Sequence, residues 1–285
     1  MTPFELVEPR TLREAAGLLA AGDPSVRPMG GGTAVMLMMK MGVLRPKRLV
    51  SLRGVEAPYH EIIETNGELR LGAMATLSAL ERSAAVRSRV PVVAGALRRL
   101  ANVRVRNVAT VGGHLAHADP HMDLPPVLIA LGAMVSVVSP KRARKLPLED
   151  LYSGYLETTL ERDELVADVA VSAQGKRRAA YLKCTTRSAD DWPALGVAVV
   201  LDAEATQVRE ARIVISAATD VPTRLTAAEK LLKGARADDR ALREAADAAA
   251  AEASVIADEH GSAAYKRELV RVYVARAIRA ALSEK

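Results

Sequence analysis

The chain has 285 residues, 49% apolar and 3% aromatic, with one cysteine and a formal net charge of +6. That length exceeds a small disulfide scaffold and suits two domains or one large one, and a lone thiol excludes an internal disulfide or an iron–sulfur cluster of the chain's own, which takes about four thiolates. No run approaches the roughly 20 apolar residues of a membrane span and no basic segment with an apolar core opens the chain, so a reduced, cytoplasmic protein is expected, packed on Ala, Val and Leu rather than on rings.

Thr11, with Glu14 three residues later, reads as a helix start. Leu12, Ala15, Ala16, Leu18 and Leu19 form its inner stripe, and Gly22-Asp23-Pro24 ends it. Met29-Gly30-Gly31-Gly32-Thr33-Ala34-Val35-Met36 follows, a short apolar approach and three glycines before a helix-like run to Met41. A helix N-terminus carries free N–H groups and a partial positive charge, and glycines let them reach an anion. The pattern is neither G-x-G-x-x-G nor a P-loop, since no Lys-Ser/Thr follows the last glycine, and a phosphate site and a plain tight turn both fit it. Arg48 to Leu52 reads as a short strand, a first small α/β lobe ends near Val55, and Glu61 to Glu64 with Glu68 to Leu71 form a hairpin about Asn66-Gly67.

Thr76 caps the next helix, and Pro91 opens another that runs to about Ala101. Arg98, Arg99, Arg104 and Arg106 near its end complement a helix C-terminus, with phosphate contact as the alternative. The stretch Thr110 to Pro126 is the densest in chemistry. Gly112-Gly113, after Val108 and Val111, lets backbone approach a ligand and point N–H groups at it. Thr110 adds a hydroxyl, while Asp119 and Asp123, stiffened by Pro120 and Pro125, offer acceptors suited to sugar or ribityl hydroxyls. His114, His117 and His121 have the spacing of ligands on a helix, but the glycine pair and Pro120 argue against a helix there, and no metal is expected.

Val127 to Leu131 and the strands Met134 to Val138 and Leu165 to Val171 complete a second lobe. Lys141-Arg142-Ala143-Arg144-Lys145 reads as a solvated loop. Without nearby aromatics to stack bases no nucleic acid is expected, and docking to an acidic partner is the alternative. Gln174 to Arg178 reads as a linker between domains at 1–175 (lobes about 1–55 and 56–175) and 176–285. In the second, the β-rich runs Ala180 to Cys184, Leu195 to Leu201 and Ala211 to Ala217 precede helices at Thr226 to Leu232, Asp238 to Ala253 and Ser262 to Leu282, the order of an α+β domain. The last helix is expected to put Leu269, Val272, Tyr273 and Ala277 inside and Lys266, Arg267 and Arg271 largely outside. Cys184 has no sequence-local catalytic partner and reads as a small buried apolar residue.

The two glycine segments, about 80 residues apart, resemble in their order the flavin-binding medium subunit of molybdenum hydroxylases, the family of the carbon monoxide dehydrogenase medium subunit and the xanthine dehydrogenase flavin domain. The resemblance extends over Phe4 to Pro9, Arg45 to Leu52, Leu71 to Thr76, Val105 to Gly113, the Asp-Leu-Pro at Asp123, Tyr181-Leu182-Lys183 and Asp190-Asp191. It implies an α+β fold, a two-lobed FAD-binding domain of the p-cresol methylhydroxylase/vanillyl-alcohol oxidase type followed by a three-stranded antiparallel sheet with helices. It also implies non-covalent FAD held by Pro28, Met29, Gly30, Gly31, Gly32, Thr33, Ala34, Val35, Leu100, Thr110, Gly112, Gly113, His114, Asp123, Val166 and Lys183. Where the family more often has Asn, this chain has His114, and Lys183 is placed beside the isoalloxazine; the residues alone also allow a solvated strand lysine. Molybdopterin and two [2Fe-2S] centres belong, by the same resemblance, to large and small partner subunits, in a dimer of heterotrimers. Electrons would pass from the clusters through FAD to quinone, NAD or oxygen. A nucleotide-binding regulatory module and a stand-alone flavin oxidase remain the alternatives.

Overall fold

The computed structural model describes residues 2–20 and 22–283. Its first sheet is parallel, with Arg48–Ser51 between Glu5–Val7 and Val26–Met29. Parallel neighbours need crossover connections, and the helix Leu12–Leu19 supplies one between the two outer strands. Thr11 caps that helix by accepting from Glu14 N at 3.0 Å, as its sequence predicts. The helix Thr33–Lys40 makes the return crossing.

The second sheet is antiparallel, in the order Ile62–Thr65, Glu68–Gly72, Leu165–Ser172, Met134–Val138, Ala143–Pro147. Asn66 and Gly67 both have positive φ, 52° and 80°, the requirement of a type I′ hairpin turn. The basic run 141–145 is not a plain solvated loop, because its second half is the edge strand. Arg144 clamps the buried Glu164 with Nε at 2.9 Å and its terminal nitrogen at 2.6 Å. The helix opened by Pro91 stops at Leu97, short of Ala101, and Arg106 meets Glu81 at 2.9 Å while donating to the Leu100 carbonyl.

The third sheet runs Arg178–Cys184, Leu195–Glu204, Gln207–Ser216, with a two-residue fourth strand, Thr223–Arg224, beyond the three expected. Leu195, Val197, Val199 and Leu201 point to a core shared with the helices Thr226–Leu232, Asp239–Glu252 and Ala263–Ser283. Ala198 and Val200 point the other way, into the core built around the fully buried helix Leu124–Leu131. A strand buried on both faces reads as an unbroken apolar run, and Leu195 to Leu201 is one.

The final helix corrects one expectation. Its buried stripe is Lys266, Val270, Val274, Ala277, Ile278 and Ala281, whereas Val272 is exposed. Lys266 goes inside because its ammonium finds the Ala217 carbonyl and the Asp258 carboxylate there, and a buried charge is tolerated only with such partners.

Leu128 lies in the helix that both halves pack against and is fully buried. Leu128→Ala is expected to destabilise the chain by about 2–5 kcal/mol, read as a lowered urea midpoint. An unchanged midpoint would contradict this placement of the core.

Candidate functional site

The strand Val26–Met29 runs into Gly30-Gly31-Gly32, and the helix Thr33–Lys40 starts at once. Gly32 stands before it with φ +78°, a left-handed conformation glycine adopts without strain, and offers no side chain to cap the first N–H groups. Thr33, Ala34 and Val35, which carry those groups, line a cavity of about 440 Å³. An uncapped helix N-terminus on a cavity is an anion site. Arg27, at the same rim, adds a fixed positive charge.

The other wall is a short helix rather than a glycine loop. Val111–Ala116 is helical and is capped by Thr110, whose Oγ1 accepts from Gly113 N at 3.2 Å. Glycine disfavours helix interiors by about 1 kcal/mol against alanine, which is why the sequence argues for a loop. Packing overrides it, since a Cβ on Gly112 would lie 2.7 Å from the Ala73 Cβ. The N–H groups here are already used, Gly112 N by Ala73 O at 2.7 Å and Val111 N by Ala75 O at 3.0 Å. Donors therefore come from 33–35, while 110–114 supplies shape. The glycine turn meets the other wall with no side chain of its own between them: a Cβ on Gly31 would sit 1.8 Å from Val108 O, and one on Gly30 would sit 2.7 Å from Thr110 Oγ1.

Of the residues singled out from the sequence, Pro28, Gly30, Gly31, Gly32, Thr33, Ala34, Val35, Thr110, Gly112, Gly113, His114 and Val166 line this cavity together. Met29, Leu100, Asp123 and Lys183 lie outside its lining. Lining residues that sequence reasoning missed include Met38, Ala73, Met74, His117 and Met122. They are ordinary apolar or flanking residues, and the hydrogen bonds from Val111 and Gly112 to Ala75 and Ala73 bring the 73–74 turn to the site.

His114 is buried, and its Nε2 has no partner in the protein. Burial and the neighbouring His117 pull its pKa down to about 4, so it is a neutral imidazole at physiological pH. Lys183 is not solvated: its side chain is 2% exposed, with Nζ 3.2 Å from Asp123 Oδ2 and 2.6 Å from the Arg99 carbonyl. Asp123 also accepts from the Tyr181 hydroxyl at 2.6 Å. Burial pushes the Asp123 carboxyl above its ordinary range against the pull of Lys183 and Tyr181. Asp119, expected to face sugar hydroxyls, accepts instead from His121, from N at 2.8 Å and from Nδ1 at 2.9 Å. Among the described residues, no group of three or more His, Cys, Asp or Glu side chains is placed to hold a metal ion.

A strand, a glycine turn and an uncapped helix on a cavity, braced by a second glycine segment, define a protein that binds a nucleotide-type cofactor. Comparison with known proteins makes this specific. Residues 2–172 match the FAD binding domain in molybdopterin dehydrogenase, and residues 180–281 match the CO dehydrogenase flavoprotein C-terminal domain. The nicotine 6-hydroxylase medium subunit of Paenarthrobacter nicotinovorans is 32% identical, over 95% of this chain and 94% of its own length. The carbon monoxide dehydrogenase medium chain of Hydrogenophaga pseudoflava is 29% identical, over 98% and 96%. A solved structure of carbon monoxide dehydrogenase from the latter organism superposes with a TM-score of 0.94 at 32% identity, over 99% of this chain and 98% of that one. The chain belongs to the family of FAD-binding proteins of the molybdopterin dehydrogenases, and the fold and cofactor that the resemblance implied are borne out. No helix among the described residues is long and apolar enough to cross a membrane.

The packing of the two glycine walls has a measurable consequence. Gly31→Ala is expected to destabilise the cofactor-free chain by about 1–3 kcal/mol, as overpacking does, because the clash is with backbone. At Gly113 a Cβ meets only the Thr110 hydroxyl, at 3.0 Å, and Gly113→Ala should cost clearly less. Equal thermal midpoints for the two variants would contradict the assigned junction.

Proposed function

We propose that this chain is the FAD-carrying medium subunit of a molybdenum hydroxylase complex, taking electrons from [2Fe-2S] centres in a small partner subunit and passing them to an external acceptor. The observation that carries the reading is the fit of the cavity to a dinucleotide. It combines uncapped N–H donors at 33–35, the cation of Arg27, side-chain-free walls at Gly30, Gly31 and Gly113, and the unpartnered His114 ring. The relatives' names as medium subunit and medium chain, matched over nearly full length, support the same role. Bound FAD would supply the exchange of electrons singly and in pairs.

The protein's own groups divide the remaining tasks. The first turn of the helix Thr33–Lys40 and Arg27 would hold the pyrophosphate, and Met29 would brace the turn from behind, where a Cβ on Gly32 would lie 3.2 Å from its sulfur. Neutral His114 can give or take one hydrogen bond inside the cavity without adding charge. Asp123 adjoins the cavity residue Met122 and holds Lys183 by a buried ion pair, so the lysine would present a fixed positive charge beside the ring, and Leu100 would close the apolar side behind it. We place the domain boundary at 175/176, between the two family matches, and the complex in the cytoplasm, with molybdopterin in a large subunit and the heterotrimers paired.

Co-purification with the partner subunits tests the role. FAD should be released quantitatively by acid, and substrate oxidation should require the molybdenum and iron–sulfur subunits; oxidation of an organic substrate by the chain alone would replace this reading with a stand-alone oxidase. Lys183→Met should lower the flavin midpoint potential and Asp123→Asn should raise it, each by tens of millivolts, because one removes and the other frees a positive charge. Potentiometric titrations showing no shift in either variant would remove the pair from the flavin site.

A further inference from the structure

Beyond the cavity, a cluster of buried ionisable side chains lies where the segment 119–123 meets the C-terminal half. His121 is buried, with a side chain 4% exposed, and both ring nitrogens face carboxylates. Nδ1 is 2.9 Å from Asp119 Oδ1, and Nε2 is 2.9 Å from Asp258 Oδ2. Asp258 also accepts from the fully buried Lys266, which donates in turn to the Ala217 carbonyl at 2.8 Å.

Two arguments fix the protonation of this ring. A neutral imidazole donates from one nitrogen only, so one of the two contacts would set a lone pair against a carboxylate oxygen; an imidazolium donates to both. The charges agree, because two carboxylates against one ammonium leave a buried negative charge unless His121 carries the second positive one. The indole of Trp192 stacks on the ring at 5.6 Å and 11°, a face that favours a cation. Burial opposes the charge on His121, but its hydrogen bonds to Asp119 and Asp258 outweigh burial and hold its pKa above the ordinary value. Both carboxyls are correspondingly held below theirs.

Other ionisable groups face the cluster without pairing with His121. His260 lies 5.1 Å away by ring centroids, with Glu259 3.7 Å from its Nε2. His117 acts on Asp119, and the half-exposed Tyr155 feels Asp119, Glu259 and Asp258, with Asp220 more weakly. No side chain among them hydrogen-bonds to Asp119 or to Asp258 in place of His121.

The same segment walls the cavity. His117 and Met122, on either side of Asp119 and His121, are lining residues, and the Pro120 carbonyl accepts from Ala217 N at 2.8 Å. We propose that His121 is a positioning residue, held as an imidazolium, that pins this wall of the FAD cleft to the C-terminal domain, so that FAD is held most tightly while His121 is charged. The coupling to FAD rests on the proposed function of the cleft. The sign follows from linkage: FAD that favours the charged ring raises the pKa of His121, so the contribution to affinity is complete below the His121 pKa of the cofactor-free chain and is lost as pH rises through the higher value of the FAD complex.

The test uses the full chain, with FAD as the probe, from about pH 6 to 9 across the histidine range. Wild-type affinity for FAD should fall as pH rises. His121→Gln should bind FAD roughly tenfold or more weakly at pH 7, the fold-change of one lost charge-assisted hydrogen bond, and should have lost the pH dependence. His121→Gln/Asp119→Asn, neutral again, should recover most of the affinity and stay flat with pH. Nitrogen NMR of His121 in the cofactor-free chain should show both ring nitrogens protonated at pH 7, a readout independent of FAD and of whether the variants fold. A neutral ring at pH 7, or a wild-type pH profile in His121→Gln, overturns the proposal. A charged His121 in a wild-type chain that binds no FAD at any pH overturns instead the reading of the cleft, and the coupling with it.

Discussion

The site depends on one contact made by the absence of a side chain. Gly31 lies so close to the Val108 carbonyl that no other residue fits, and Gly30 meets Thr110 in the same way. Through that contact the helix Thr33–Lys40 is presented to the cavity with its first turn uncapped, and Thr110 starts the opposite helix. One close approach thus sets the donors and the shape of the cleft together. The parallel sheet and the hairpin sheet serve as its mounts, the first ending at Met29 and the second reaching the cleft through the 73–74 turn.

The C-terminal half lends the cleft no lining residue but holds from behind the segment that walls it. Its central strand, Leu195–Glu204, is buried on both faces and packs one of them on the helix Leu124–Leu131, which begins directly after Asp123. Tyr181 and Lys183 grip Asp123 from the strand beside it, and Asp258, itself held by Lys266, grips His121. The segment 117–123 is therefore anchored from behind by buried charges while its front faces the cavity. Buried ion pairs contribute little net stability, but removing one partner leaves a charge uncompensated, so they fix geometry more than they add energy.

Features set by neighbouring residues were legible in the sequence. The Thr11 and Thr76 caps, the Asn66-Gly67 turn and the strand-glycine-helix unit at Gly30 need only a few residues in a row, and each stands where expected. Features set by distant partners were not. Arg144 leaves the basic run to pair with Glu164, twenty positions on, and Lys266 turns inward because Asp258 and Ala217 wait there. Gly112 reads as part of a loop because its reason for being small is Ala73, which lies far from it in sequence. Asp119 reads as a ligand acceptor, although its partner His121 is two positions on, because the bridge that occupies both is completed by the distant Asp258.

The assignment of the uncapped helix as the cofactor's anchor is open to direct measurement by amide hydrogen exchange of the chain with and without FAD. The N–H groups of Thr33, Ala34 and Val35 should exchange rapidly in the cofactor-free chain and become strongly protected when FAD is added. Those of Val111 and Gly112, already bonded to the 73–75 turn, should change little. Protection at 111–112 with none at 33–35 would contradict the account and move the anchor to the other wall.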